Sequence, residues 1–210
     1  IEQVGSPMEV YSQPNNKFVA FGIDTIGRRV YTLQFKNLET NQTFPEKIEN
    51  TTGSAAWASD NKTVFYTQQN PKTLRSEKIF RHVLGTDPSL DEEVYCEKEE
   101  AFSTYVYRTK SDKYIIIGSQ STVSTEYRIL KADNPSGDFK LFQPRERDLE
   151  YNIAHYNGFF YILTNKDKAT NFKLMKTSSK KTLKENWVDV IPHRADVLLE
   201  DISIFKEFLG

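Results

Sequence analysis

The side chains able to do acid–base or nucleophilic chemistry are few in this chain. His82, His155 and His193 are its three histidines and Cys96 its one cysteine. A serine or cysteine nucleophile needs a base within hydrogen-bond reach, yet the histidines fall in different parts of the sequence. The nearest approach to a nucleophile elbow is Gly118-Ser119-Gln120-Ser121-Thr122. It lacks the second glycine of G-x-S-x-G and follows a strand with no helix behind it. No pair of His, Cys or Asp residues has the spacing of a zinc site. No glycine-rich phosphate loop is present, since Gly53-Ser54 reads as a turn before a strand. The chain is therefore expected to carry no catalytic residue, no metal and no cofactor.

Charge offers two weaker candidates. Asp91, Glu92, Glu93, Glu97, Glu99 and Glu100 set six acids against Lys98 within ten residues. Such a stretch suits a solvated sheet edge, where charge blocks edge pairing. It also suits an acidic rim that steers cationic peptides, an effect that salt weakens. The second candidate is arginine. Arg145 and Arg147 lie in the mixed-charge run Pro144–Glu150, and Arg28-Arg29 stand beside Asp24. Local ion pairs are the plain expectation for both. A domain contact is the sharper one, because the rigid guanidinium fork holds carboxylates bidentately.

The bulk composition narrows the partners. Lys+Arg 28 against Asp+Glu 29 gives no basic face for nucleic acid. No apolar run approaches the roughly 18 residues of a membrane helix. One cysteine permits no internal disulfide and fits a reducing compartment, the cytoplasm, with the periplasm as the alternative. The sequons at Asn41, Asn50 and Asn61 are no more than an Asn-rich chain gives by chance. The opening Ile1-Glu2-Gln3-Val4 is neither a signal peptide nor an initiator, and Met8 is the first methionine. This predicts a piece of a longer protein.

The elements that must position these residues repeat. Apolar runs begin at Phe18, Val64, Tyr114 and Phe159, spaced 46, 50 and 45 residues apart. Each follows a polar turn: Pro14-Asn15-Asn16-Lys17, Asp60-Asn61-Lys62, Lys110-Ser111-Asp112-Lys113 and Asn157-Gly158. Asn and Asp tolerate the turn dihedrals, and Asn-Gly is a strong hairpin signal. Before each turn lies another apolar segment, at Met8–Val10, Ser54–Trp57, Ser103–Tyr107 and Tyr151–His155. After each run come an alternating strand and a short closing strand. Four strands at a period near 48 predict an all-β fold, a β-propeller fragment of about four four-stranded blades.

The approximate blades are 8–49, 53–97, 102–143 and 150–191, with Glu200–Phe205 (residues 199–205) opening a fifth. The consecutive apolar positions of Tyr114–Ile117 and Phe159–Leu163 require burial on both faces. That favours stacked blades over a two-sheet sandwich. In this repeat His155 aligns with Trp57 and Tyr107, so it reads as a packed core residue. His82 reads as a strand residue and His193 as a loop residue. Four blades do not close a ring, so the arc is expected to bury its open faces, for instance by dimerising.

The motifs resemble the propeller of the oligopeptidase B (protease II) branch of the prolyl oligopeptidase family of serine peptidases. Arg28-Arg29-Val30-Tyr31 leading to Leu38-Glu39-Thr40 is similar to that branch's R-R-x-Y strand and L-E-T hairpin. Trp57-Ala58-Ser59-Asp60 matches its W-A-x-D turn. Phe80-Arg81-His82-Val83-Leu84-Gly85-Thr86 resembles its W-R-H-x-L-G-T segment, with Phe80 in place of tryptophan. Further matches run through Tyr95–Lys98, Ser121–Glu126, Glu150-Tyr151, Asn171-Phe172 and Ile191–Arg194.

The resemblance implies a seven-bladed propeller over an α/β-hydrolase domain that bears the Ser-Asp-His triad, none of which lies in this chain. It implies a parent cleaving short peptides after Arg or Lys. The propeller's implied role is a gate that admits small cationic peptides and excludes folded proteins. Against this stand a free-standing propeller that binds proteins or peptides on its rim, and glycoside hydrolysis by paired carboxylates.

Overall fold

A computed structural model of the chain describes residues 10–25 and 27–205. The described residues are all-β, apart from three single turns of 3-10 helix. The first blade comprises β1 (Val10–Ser12), β2 (Phe18–Ile23), β3 (Tyr31–Asn37) and the start of β4 (Thr43–Trp57). The end of β4 opens the second blade, with β5 (Thr63–Gln69), β6 (Ser76–Val83) and β7 (Glu92–Cys96). The third holds β8 (Ser103–Arg108), β9 (Tyr114–Gln120), β10 (Thr125–Lys131) and β11 (Lys140–Leu141). The fourth holds β12 (Tyr151–Tyr156), β13 (Phe159–Thr164), β14 (Lys173–Ser178) and β15 (Val188–Ile191). Every pairing among these strands is antiparallel between sequence neighbours.

The first two blades are not separate sheets. β4 runs 15 residues without a break, pairing with β3 up to Thr51 and with β5 from Thr51 to Trp57. Register shifts on both sides, with Gly53 at φ +84°, turn one strand from the outer edge of blade 1 into the inner position of blade 2. Gly53 also lies so close to Gly22 that a Cβ on Gly22 would meet its Cα at 2.6 Å.

Local chemistry explains the hairpins. In each blade the turn from first to second strand holds an Asn or Asp at positive φ: Asn16, Asn61, Asp112 and Asn157. These side chains tolerate the left-handed region that β-branched residues avoid. The second strands are buried on both faces, with Ile115, Ile116 and Ile117 all fully inaccessible, as the consecutive apolar pattern requires.

Three cores lie between the blades rather than within them. Leu33 and Phe35 of blade 1 pack on Trp57, Val64 and Tyr66 of blade 2. Phe65 and Ile79 pack on Val106, Ile115 and Ile117 of blade 3. Tyr127, Ile129 and Phe142 pack on Tyr151, Phe160 and Trp187 of blade 4. Each large side chain so buried contributes roughly 1.5–3 kcal/mol. Hydrogen bonds join blades at the repeat distance: Trp57 Nε1 donates to the Tyr11 carbonyl (2.9 Å) and Arg108 Nη1 to that of Trp57 (2.8 Å).

Two expectations fall at the limits of the described residues. Within Glu200–Phe205, expected to open a further blade, Ile204 makes a bridge and is buried beside the first strands of blades 3 and 4. In the first blade β1 begins at Val10, and the expected Met8 lies outside the described residues. On the side of blade 4 turned away from blade 3, Phe159, Val188 and Ile191 are 41%, 54% and 45% exposed. This is the uncovered face that an open arc must have.

Candidate functional site

Up-and-down strand order sorts the loops onto two ends. The turns from first to second strand and from third to fourth strand share one end. The turns from second to third strand share the other with the crossovers between blades. This places Arg28, Arg29, Glu97, Glu99, Glu100, Arg145 and Arg147 on the crossover end. Asp91 sits at the opposite end, just before β7, and Glu92 and Glu93 lie along β7 itself. The six acids thus extend along a strand of five residues, about 17 Å at ~3.3 Å per residue. They do not form one rim.

Two of them do not face water at all. The Asp91 side chain is 3% exposed; it accepts from Tyr66 Oη at 3.0 Å and lies 2.7 Å from His82 Nδ1. His82 is fully buried and stacks on Phe35 at 5.2 Å. Burial, together with the Asp91 carboxylate, pushes the Tyr66 hydroxyl far above its ordinary value. The strand expectation for His82 stands; its carboxylate partner, nine residues on, was hidden by the loop between them. Among the remaining acids, Glu92 pairs with Arg81, and Glu93 with Lys78 at 2.8 Å. Glu100 is exposed.

Glu97 is the other internal acid, and it meets a residue expected to reach another domain. Its side chain is 4% exposed, with Arg145 Nη2 at 2.6 Å, Tyr95 Oη at 2.8 Å and the Glu99 amide at 3.0 Å. Arg145 also reaches Glu99 (3.1 Å) and Glu126 (3.5 Å), and its guanidinium lies 3.5 Å over the Phe102 ring. Burial alone would raise the Glu97 pKa. The Arg145 hydrogen bond, the Glu99 amide and the Tyr95 and Ser119 hydroxyls outweigh it and hold the carboxyl below its usual range. Glu97 and Glu99 of the acid candidates therefore pair with Arg145 of the arginine candidates. Together they clamp the crossover leaving blade 2 to the crossover entering blade 4, across blade 3.

Arg75 completes this end, donating to the backbone carbonyls of Glu97, Glu99 and Phe102 at 2.9–3.1 Å. Nothing in its sequence neighbourhood marks it, because all three acceptors lie more than 20 residues away. Arg28 and Arg29 are exposed in the β2–β3 turn. There Asp24 accepts the Gly27 and Arg29 amides at 2.8 and 2.7 Å. Arg147 is 89% exposed, 3.8 Å from Asp148. Of the four arginines, Arg28, Arg29 and Arg147 remain presented to solvent.

His155 is 6% exposed and packed against Tyr114 (4.8 Å) and Phe160 (5.1 Å), as the repeat alignment predicts. Its Nδ1 lies 2.8 Å from Ser111 Oγ, a contact between β12 and the first hairpin turn of blade 3 across 44 residues. Among the described residues no carboxylate pairs with His155. The Ser–His contact therefore lacks the third group that orients a catalytic base. His193 is in a loop, partly buried. Among the described residues no group of three His, Cys, Asp or Glu side chains is placed to hold a metal.

Comparison with known proteins shows which family these blades belong to. The chain is 40% identical over 194 residues to dipeptidyl aminopeptidase BI of Pseudoxanthomonas mexicana, covering 92% of this chain and 27% of that protein. It is 26% identical to protease 2 of Moraxella lacunata, covering 85% and 26%. The fold superimposes on oligopeptidase B from Leishmania major with TM-score 0.88 at 29% identity, covering 99% of this chain and 30% of that one. The chain thus spans little more than a quarter of the length of these curated relatives. Residues 8–210 match the family described as prolyl oligopeptidase, N-terminal β-propeller domain, and the chain belongs to that family.

Proposed function

We propose that the chain is the non-catalytic, size-filtering propeller of a serine peptidase that acts on short peptides, with an α/β-hydrolase domain elsewhere in the parent supplying the nucleophile. The observation that carries this reading is family membership over residues 8–210. The propeller acts by exclusion. A lid of rigid stacked blades stops bulky substrates and hinges against its partner to admit small ones. The exposed arginines Arg28, Arg29 and Arg147 share one end and are the candidates for contact with the hydrolase. Arg145, also expected at that contact, is engaged by three carboxylates of its own domain.

Cleavage after Arg or Lys, as in the oligopeptidase B branch, is the finer part of the proposal. Glu92, Glu93, Glu99 and Glu100 are the acids left to attract a cationic peptide. A second reading of specificity rests on the 40% identity to a dipeptidyl aminopeptidase, and would have the parent release dipeptides from free amino termini. One experiment separates them. The parent is given an Arg-containing hexapeptide with its amino terminus free or acetylated, and the same sequence inside a folded protein. The oligopeptidase reading expects both short peptides to be cut after Arg and the folded protein to be spared. Loss of cutting on acetylation supports the dipeptidyl reading. Cleavage of the folded protein at the peptide's rate refutes the filter, and inhibitor-sensitive hydrolysis by the 210-residue chain alone refutes its non-catalytic role.

A further inference from the structure

The turn that carries Ser111 contains cations with no assigned task. Lys110 and Lys113 flank Ser111 and Asp112 in the first hairpin turn of blade 3, and both are exposed. Asp112 is already engaged by Arg108 Nε at 2.9 Å. Among the described residues neither lysine is in an ion pair. The corresponding turns of the other blades differ. Lys17 in blade 1 has Glu39 at 3.2 Å. In blade 2 the turn holds a single lysine, Lys62, whose backbone amide rather than its ammonium is bound by Asp60 at 3.0 Å. Blade 4 has the uncharged Asn157-Gly158 turn.

Between this turn and that of blade 4 lies an open cavity of about 550 Å³. Lys110, Ser111, Lys113, His155, Asn157 and Gly158 line it beside Ile204 and Phe205, and among the described residues no acid does. Gly158, at φ +80°, has nothing within 4 Å of where a Cβ would stand, so the wall there is backbone alone. His155 forms the inner wall. If Ser111 donates to Nδ1, the neutral ring keeps its proton on Nε2 as a donor.

We propose that this cavity is a binding site for a small oxyanion, a peptide carboxylate or a phosphate group, held by Lys110 and Lys113 together with Ser111 and His155. Two ammonium groups supply the charge. The hydroxyl and imidazole supply directional hydrogen bonds, which are stronger to an ionised acceptor. The site is distinct from the Glu97–Arg145 clamp, which lies on the opposite end of the blades, and it does not depend on the parent's peptide specificity.

His155 is a built-in reporter. Burial, and then the nearby Lys113 charge, hold its pKa below the ordinary histidine value. A bound anion counteracts the lysine and raises it. By reciprocity the anion binds more tightly as pH falls through that pKa. Among the described residues the titratable and charged groups around the ring are Tyr107, Arg108, Lys110, Lys113, Tyr114 and Tyr156. With three histidines in the chain, the ring signal is assignable from the His155→Phe spectrum.

The test follows His155 by NMR in the 210-residue chain while adding a tripeptide acid, its C-terminal amide, or inorganic phosphate. Saturable shifts with Kd on the order of 1 mM, weakening with salt, are expected for the acid or for phosphate and not for the amide. The one that saturates identifies the source. The Lys110→Ala/Lys113→Ala variant, folded by circular dichroism, is expected to lose the response. No saturable shift with either anion, an equal response to the amide, or an unchanged response in the double variant overturns the proposal.

Discussion

Replacing Arg145 with methionine tests whether the crossover-end clamp holds the blades together. Methionine keeps most of the stem's packing on Phe102 while removing the charge. Glu97 is 4% exposed at the side chain and loses its guanidinium partner, whereas Glu126, 8% exposed, keeps Arg128. Breaking a buried pair costs about 3–5 kcal/mol. Here Arg145 itself is 19% exposed, and Glu97 keeps the Tyr95 hydroxyl and Glu99 amide as donors. Those two facts reduce the expected loss to about 2–3 kcal/mol.

The assay is urea unfolding of both proteins at pH 7, with unchanged m-value as the check that only stability moved. A double-mutant cycle with Glu97→Gln isolates the pair, and a coupling of at least about 1 kcal/mol is expected. The pH dependence gives a second readout. The folded Glu97 pKa is depressed, so its contribution is present above the unfolded carboxylate value. That contribution is lost as pH falls through the folded value. The difference between wild type and variant must therefore shrink in acid. A loss under about 0.5 kcal/mol with no coupling would show that the clamp is a surface ion pair without structural weight.

Other expectations follow from the packing. Gly118→Ala places a Cβ 2.4 Å from Tyr105 Cζ. That ring is held by Tyr127 Oη at 3.2 Å, so overpacking should destabilise by about 1–3 kcal/mol in the same unfolding assay; a neutral result would mean the ring swings aside freely. Burial raises the Tyr107, Tyr127 and Tyr151 hydroxyls far above their ordinary value. The unfolded chain then releases protons first, and stability should fall as pH rises above about 10. Ultraviolet titration should show these tyrosines ionising only with unfolding, and normal titration of all 11 tyrosines in the folded chain would contradict it. The exposed Phe159, Val188 and Ile191 should drive self-association of the isolated chain, read by light scattering. Val188→Lys should reduce it, and a strict monomer at high concentration would argue that the face is not adhesive.

The blades were legible because their signals are local. A hairpin turn is specified by Asn or Asp at a left-handed position, and doubly buried strands by consecutive apolar residues, as at Ile115–Ile117. Both are read within a few residues. The fusion of blades 1 and 2 through β4 was less legible, because Gly53 looks like an ordinary turn and acts here as a bend within a strand.

Charge was where the sequence misled. Composition counts six acids between Asp91 and Glu100 but cannot say that β7 spreads them from one end of a blade to the other. Nor can it say that Asp91 turns inward to His82 and Glu97 to Arg145. Taken alone, the chain of letters determined the strand type, the repeat and the absence of a nucleophile elbow, since each depends on neighbours along the backbone. Tertiary structure alone decided which charges face water and which side chains meet, because Glu97 and Arg145, or Ser111 and His155, lie more than 40 residues apart. Electrostatic and hydrogen-bond energies depend on distance through space and on burial, and neither is written in sequence order.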